Sequence, residues 1–305
     1  MSQTGILVLD KTAGVTSFDA VTLVRRRLGL KRVGHAGTLD PAATGVLPIL
    51  LGEATKLMPY LSDQDKEYMA TLRLGVTTDT GDLSGRVTAT APVPTLQRDE
   101  VEAACRPYVG RIKQVPPMYS AVHHGGRRLY ELAREGQEVV REPREVVIHA
   151  IEVDEVAGDG VRLRVVCGKG TYVRVLAADV GAALGCGAVV ARLVRTRVGP
   201  FRLEDALAWP ALADGAPTAV WARVLPADAA LAGWPAVRLD SRAAVQLEHG
   251  QPVAIAPPGA AAGTLVRVHA ADGRLLGVGE VVTGARTRPV RMLHADRPGT
   301  RVLPG

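Results

Sequence analysis

The stretch GHAGTLDPAATGVLPI (34–49) sets one acid, Asp40, in a segment with almost no other charge. Gly34, Gly37 and Gly45 hem it in, Pro41 and Pro48 limit its shapes, and His35 is its one other ionisable neighbour. Asp before Pro commonly starts a turn by hydrogen-bonding its own backbone, and a lone Asp-Pro needs no further explanation. Here the glycines permit close backbone approach to a ligand, and no basic residue stands near the acid in sequence. A carboxylate held rigidly among apolar neighbours is suited to work as a nucleophile or a base.

Outward from this stretch the chain alternates helical and extended patterns. Before it, Ile6 to Leu9 reads as a short strand. Thr16-x-x-Asp19 forms a capping box for a helix with Phe18, Val21, Val24 and Leu28 on one face and Gly29 as its stop. The Gly/Pro-punctuated segment 34–49 is followed by a short helix near 53–61. Tyr68, Ala70, Leu72 and Leu74 alternate with Met69, Thr71 and Arg73, which predicts a strand. Segment 76–86 is a polar, turn-rich loop, and 99–106 and 125–136 read as helices. Val161, Leu163, Val165 and Cys167 alternate as a second strand, broken by Gly168-Lys169-Gly170. Val173, Leu176, Ala177, Val180 and Leu184 then fit a helix stopped at Gly185. From Trp209 to Pro235 the chain reads as short helices and a connector. Two β-like runs at 264–269 and 275–282 meet around Asp272-Gly273, a strong hairpin signal.

At 305 residues the chain has room for about two domains. With two Phe and three Trp, its core must rest on Val, Leu and Ala. Net charge is +6, and 31 of the 37 basic residues are Arg, whose planar fork suits phosphates and stacks on bases. Between Arg162 and Arg202 eight basic residues face one acid, Asp179, which predicts a positive face for a polyanion. Three cysteines without C-x-x-C spacing argue against a disulfide framework or structural zinc. No apolar run is long enough to span a bilayer, and no secretory leader is evident. The expected setting is the cytoplasm, with no membrane partner.

Nucleotide-loop readings of Gly168-Lys169-Gly170 fail. Leu163 stands where a Walker loop needs its first glycine, and Val173 where the dinucleotide fingerprint needs its third. His123 and His124 are adjacent, so they point apart on a regular element and make a poor chelate. Tyr68 reads as a strand-face aromatic. Tyr172 and Arg174 share a face only if the chain is still extended there. Otherwise Arg174 is a solvated residue of a first helical turn.

Taken together, Leu9-Asp10-Lys11 with Gly14, GHAGTLDPAATGVLPILLGEATK (34–56), Lys66-Glu67-Tyr68, PPMYSAVHHGGRRLYELAREG (116–136), GKGTYVRVLAADVG (168–181) and the R-L-V-R-T segment (192–196) resemble the TruB-type tRNA pseudouridine-55 synthases of bacteria. The resemblance spans nearly the whole chain. Thr12 stands where the family usually has Pro, and Val194 where it usually has a second Arg.

The resemblance implies an α+β pseudouridine synthase fold, with a mixed, largely antiparallel sheet flanked by helices. It implies a catalytic domain at 1–234, with an RNA-gripping, thumb-like segment near 118–146, and a PUA-like β-barrel at 235–305. Asp40 would be the essential aspartate, Tyr68 would pack on the target uracil, and Arg174 would pair with Asp40. Tyr172 and Leu193 would line the uridine pocket, His35 would contact the opened T-loop, and Lys11 would contact the substrate. The expected partner is the T stem-loop of tRNA, bound by a monomer with base flipping. No cofactor or metal is expected, because isomerisation is neither redox nor hydrolytic. The carboxylate could attack C1′, add to C6 of the ring, or take a proton from C2′.

Two rival readings differ in class. A non-catalytic RNA-binding protein or tRNA chaperone would use the same basic faces, but gains nothing from an isolated carboxylate. A glycoside or N-ribosyl hydrolase wants a second acid at a set separation, and none pairs obviously with Asp40 in sequence.

Overall fold

The computed structural model describes residues 3–294. A ten-stranded mixed sheet dominates the chain. Its strands run in the order Leu207–Ala208, Gly5–Lys11, Thr44–Leu51, Ala188–Val198, Lys66–Leu74, Gly160–Cys167, Arg144–Ala157 and Gly110–Gln114. Short strands Val33–His35 and Phe201–Arg202 hang off this path. Pairing is antiparallel except at two joints, Gly5–Lys11 with Leu207–Ala208 and Thr44–Leu51 with Ala188–Val198. The expected α+β class and largely antiparallel sheet are therefore what the chain builds.

Near one edge the sheet is buried on both faces. Leu7 and Leu9 join a core with Val21, Val24 and Val180, from helices Ser17–Leu28 and Val173–Ala183. Ile6 and Val8, between them in sequence, join a second core with Leu50, Leu57 and Leu61. Strands covered on both faces read as continuous apolar runs rather than alternations. That explains why no strand was expected where Thr44–Leu51, starting inside 34–49, forms a central strand. Pro48 and the absent alternation hide it in the sequence. Strands Arg144–Ala157 and Ala188–Val198 were likewise not expected.

Helix Ser17–Leu28 starts on the expected capping box, with Thr16 and Asp19 bonded reciprocally, and ends on Gly29 in the left-handed region. Its buried stripe is Ser17, Ala20, Val21, Val24 and Leu28, so Phe18, expected on that face, is instead 66% exposed. The thumb-like region is a small hairpin, His123–His124 with Arg127–Arg128, leading into helix Leu129–Arg134.

A separate four-stranded sheet, Ala236–Arg238, Leu265–His269, Leu275–Val282 and Arg286–Met292, closes the described chain. It has its own core around Val237, Val266, Val268 and Leu276. Val278 and Leu293 also belong to the same core cluster as Leu57 and Leu61, and Trp234 makes an edge-on contact with Tyr60 at 5.5 Å. The part of the expected C-terminal module at 295–305 lies outside the described residues.

The predicted positive face at 162–202 needs correction. Arg162 pairs with Asp154 and Glu155, Arg164 with Glu67 and Glu152, and Lys169 with Asp63. Neighbouring strands and loops supply the acids that the local sequence lacks. Exposed pairs of this kind offset much of the local field. Among the described residues, no helix is long and apolar enough to cross a membrane.

Candidate active site

The loop carrying Asp40 enters the sheet at the parallel joint, where Val194 pairs with Thr44 and Arg195 with Gly45. Buried clasps hold it from several sides. Ser17 Oγ accepts from the Leu39 amide at 2.9 Å and donates to the Leu39 carbonyl at 3.1 Å. Lys11 Nζ donates to the carbonyls of Thr12, Val15 and Pro41 at 2.8, 2.9 and 3.2 Å. Arg195 donates to the carbonyls of Val46 at 2.7 Å and Gly37 at 3.0 Å. The Asp40 carbonyl accepts from the Ala43 amide at 3.1 Å, closing the Asp-Pro turn. Gly45 is required at the joint, because its φ is 100° and a Cβ there would lie 2.2 Å from the Arg195 carbonyl oxygen.

Arg174 is the acid's partner. It lies in the first turn of helix Val173–Ala183, just after Tyr172, whose backbone is still extended. Its Nε is 2.9 Å from Asp40 Oδ2, with the arginine side chain 5% exposed and the carboxylate 39%. Its other two nitrogens donate to the carbonyls of Thr80 at 2.7 Å and Tyr119 at 2.8 Å. A second acid, Asp82, sits 4.0 Å from the same Nε. Each of the three Arg174 side-chain nitrogens is thus engaged. The guanidinium cannot turn away from Asp40 without breaking bonds to two other loops, and a planar fork of donors is what permits this.

Asp40, Tyr68, Tyr172, Arg174 and Leu193 line one cleft of about 250 Å³. Tyr68 and Arg195 are direct cross-strand partners, as are Ala70 and Leu193, which puts all four on one face of the sheet. Burial pushes the Tyr68 phenol above its ordinary pKa, with the charge of Arg195 opposing the shift. Burial raises the Tyr172 phenol likewise. Gln114 fixes the backbone of Tyr172, accepting from its amide at 2.9 Å and donating to its carbonyl at 3.3 Å.

Two expected site residues lie off the cleft wall. Lys11 does not fit its expected role of substrate contact: it is 0% exposed and spends its three donors on backbone carbonyls. Burial lowers its pKa to about 8, with Asp40 opposing that shift. His35, on strand Val33–His35, has a buried Nδ1 with no protein partner, and burial, then Arg195 and Arg128, lower its pKa.

Arg195, Lys66, Gln114 and Asp82 were not among the expected site residues. Lys66 lines the cleft, donates to the carbonyls of Ser62 and Gln64, and has a pKa lowered to about 8 by burial and then by Arg195. Arg195 was within reach of a sequence argument, since it stands two residues from Leu193 and so shares its strand face. Asp82 and Gln114 approach from distant segments and left no local signal.

Family models match three consecutive regions. Residues 25–173 match the TruB family pseudouridylate synthase N-terminal domain, 174–232 the tRNA pseudouridylate synthase B C-terminal domain, and 235–293 the pseudouridine synthase II TruB C-terminal region. Similar proteins include tRNA pseudouridine synthase B of Dechloromonas aromatica, 48% identical over 95% of both chains. The protein of the same name from Burkholderia pseudomallei is 48% identical over 92% of this chain and 94% of its own. Among solved structures, an H/ACA RNP bound to a substrate RNA containing 2′-deoxyuridine superposes with a TM-score of 0.73 at 25% identity, over 96% of this chain and 86% of that one. An archaeal box H/ACA sRNP Nop10-Cbf5 complex gives a TM-score of 0.72 at 26% identity, over 96% and 87%.

Proposed function

This chain belongs to the TruB family of pseudouridylate synthases, and from that premise we propose that it isomerises uridine 55 in the T-loop of tRNA, with Asp40 as the working carboxylate. It is a tRNA pseudouridine synthase, an isomerase. The reaction breaks the bond from N1 to C1′, turns the base, and joins C5 to C1′. The proton on C5 leaves to solvent and N1, freed from the sugar, takes one up, so atoms balance without oxidant, reductant or phosphate.

The observation that carries the assignment is the Asp40–Arg174 pair in the wall of a cleft large enough for one base. Arg174 holds Asp40 in one orientation beside the reacting sugar. Tyr68 stacks on the flipped uracil, and burial keeps its phenol protonated, ready for a role near C5. Tyr172 and Leu193 complete the wall. His35 stands two residues before Gly37 of the cleft wall, on the side from which the opened T-loop would approach. Extrusion of the base costs a few kcal/mol of stacking and pairing, returned by this aromatic pocket. The described part of the C-terminal module, residues 235–294, serves as a second, PUA-like domain, which together with the thumb-like segment grips the RNA by its phosphates and shape.

An unmodified tRNA transcript, incubated with the protein in excess EDTA, tests the reading by carbodiimide labelling and primer extension. A new stop at the T-loop uridine is expected. Free uracil would point to a hydrolase instead. Binding without either product would leave only an RNA-binding protein.

A further inference from the structure

At the base of the thumb-like segment, Ser120 is 5% exposed, and its Oγ is buried without a hydrogen-bond partner in the protein. It stands in the wall of the same cleft as Asp40 and Tyr68. The other buried side-chain atoms without partners among the described residues belong to Arg25, Arg27, His35 and Arg141, none of which lines that cleft. The Tyr172 phenol lies beside Ser120, close enough for the serine hydroxyl to oppose the rise in its pKa, but outside the distance and angles of a formed hydrogen bond, so the hydroxyl is shared at most weakly. An unpaired buried hydroxyl is destabilising, and a cost of that kind persists where a ligand completes the pairing.

The hydroxyl is also held in place. The Ser120 amide donates to the Met118 carbonyl at 2.9 Å, and its carbonyl accepts from the Tyr130 amide at 3.1 Å. The neighbouring carbonyl of Tyr119 accepts from Arg174, the arginine paired with Asp40. One guanidinium therefore anchors both the carboxylate and the backbone next to Ser120.

We infer that Ser120 is a substrate-positioning residue that donates its hydroxyl proton to a ring carbonyl of the flipped uracil. The inference rests on the pseudouridine reading above and extends it. Turning the base about the axis through N3 and C6 exchanges N1 with C5, and it also exchanges the two carbonyls, O2 and O4. A donor beside either carbonyl thus meets a carbonyl again once the base has turned. Ser120 holds the ring in register on both sides of the rotation, which a group specific for N1 or C5 could not do.

The test is a cycle of single-turnover rates. Wild type and Ser120→Ala are compared on tRNA carrying uridine, 2-thiouridine or 4-thiouridine at the target, since sulfur is a weaker acceptor. On uridine, Ser120→Ala is expected to be about tenfold slower, the worth of one hydrogen bond. At least one thio substitution should slow wild type while leaving Ser120→Ala almost unaffected. A purely structural role would give equal thio effects in both proteins, and that result overturns the inference, as does a wild-type rate for Ser120→Ala. If Ser120→Ala does not fold, Ser120→Cys, close in size and a weak donor, is read by the same criteria. Wild type that turns over no uridine overturns the pseudouridine reading itself, and this inference with it.

Discussion

Asp40 keeps its aim because its partner has nowhere else to go. Arg174 spends one nitrogen on the carboxylate and two on the carbonyls of Thr80 and Tyr119. Lysine in its place keeps the charge, but its donors radiate from a single nitrogen and cannot reproduce the spread of the planar fork onto these three acceptors. Arg174→Lys should therefore slow the single-turnover step by at least about 100-fold, on the scale of a lost preorganised donor, with little change in tRNA affinity. A rate within a few-fold of wild type would show that charge alone suffices. At this scale the sequence was partly legible. Asp40 stood out by its isolation, and the resemblance supplied Arg174, 134 positions away. Lys11 misled, because a lysine that satisfies three backbone carbonyls looks in sequence like one that meets RNA.

The decisive element is the parallel joint between Thr44–Leu51 and Ala188–Val198, which seats the Asp40 loop. A methyl group at Gly45 would collide with the Arg195 backbone at 2.2 Å, at a φ of 100° that side chains disfavour. Gly45→Ala should cost more than about 3 kcal/mol in urea unfolding, as strain and overpacking combine. Gly29→Ala, at a left-handed cap with open space around it, should cost only about 1 kcal/mol. Equal losses would deny the joint its special role. Half-buried strands such as Lys66–Leu74 announce themselves by alternation, whereas Thr44–Leu51 is apolar on both faces and contains Pro48. A run of that kind carries no period to read.

Across the whole molecule, buried ionisable groups set how stability follows pH. Burial lowers Lys11 and Lys66 from 10.5 to about 8. Between those values the unfolded chain binds more protons than the folded one, so stability rises with pH. Burial raises Cys105 and Cys167 from 9.0 to about 11, so above pH 9 the folded chain binds more protons and stability falls. Urea midpoints should thus climb from pH 8 to 9, by on the order of 1–2 kcal/mol, and then level off. Lys66→Met should flatten the climb, and a steady fall from pH 8 would contradict the account. Net charge was visible in the sequence, but its arrangement was not. Arg162, Arg164 and Lys169 find their acids on neighbouring strands and loops, which no local count detects.

The measurement that bears most directly on the central claim uses tRNA labelled with tritium at C5 of uridine. Tritium is released to water only when C5 becomes the glycosidic carbon. Wild type and Asp40→Asn are compared in single turnover, with filter binding run on the same tRNA. The account predicts full release by wild type and none by Asp40→Asn, with both proteins binding tRNA to within a few-fold. Release by Asp40→Asn at a rate near wild type would contradict it, because the carboxylate would then be a bystander in its own cleft.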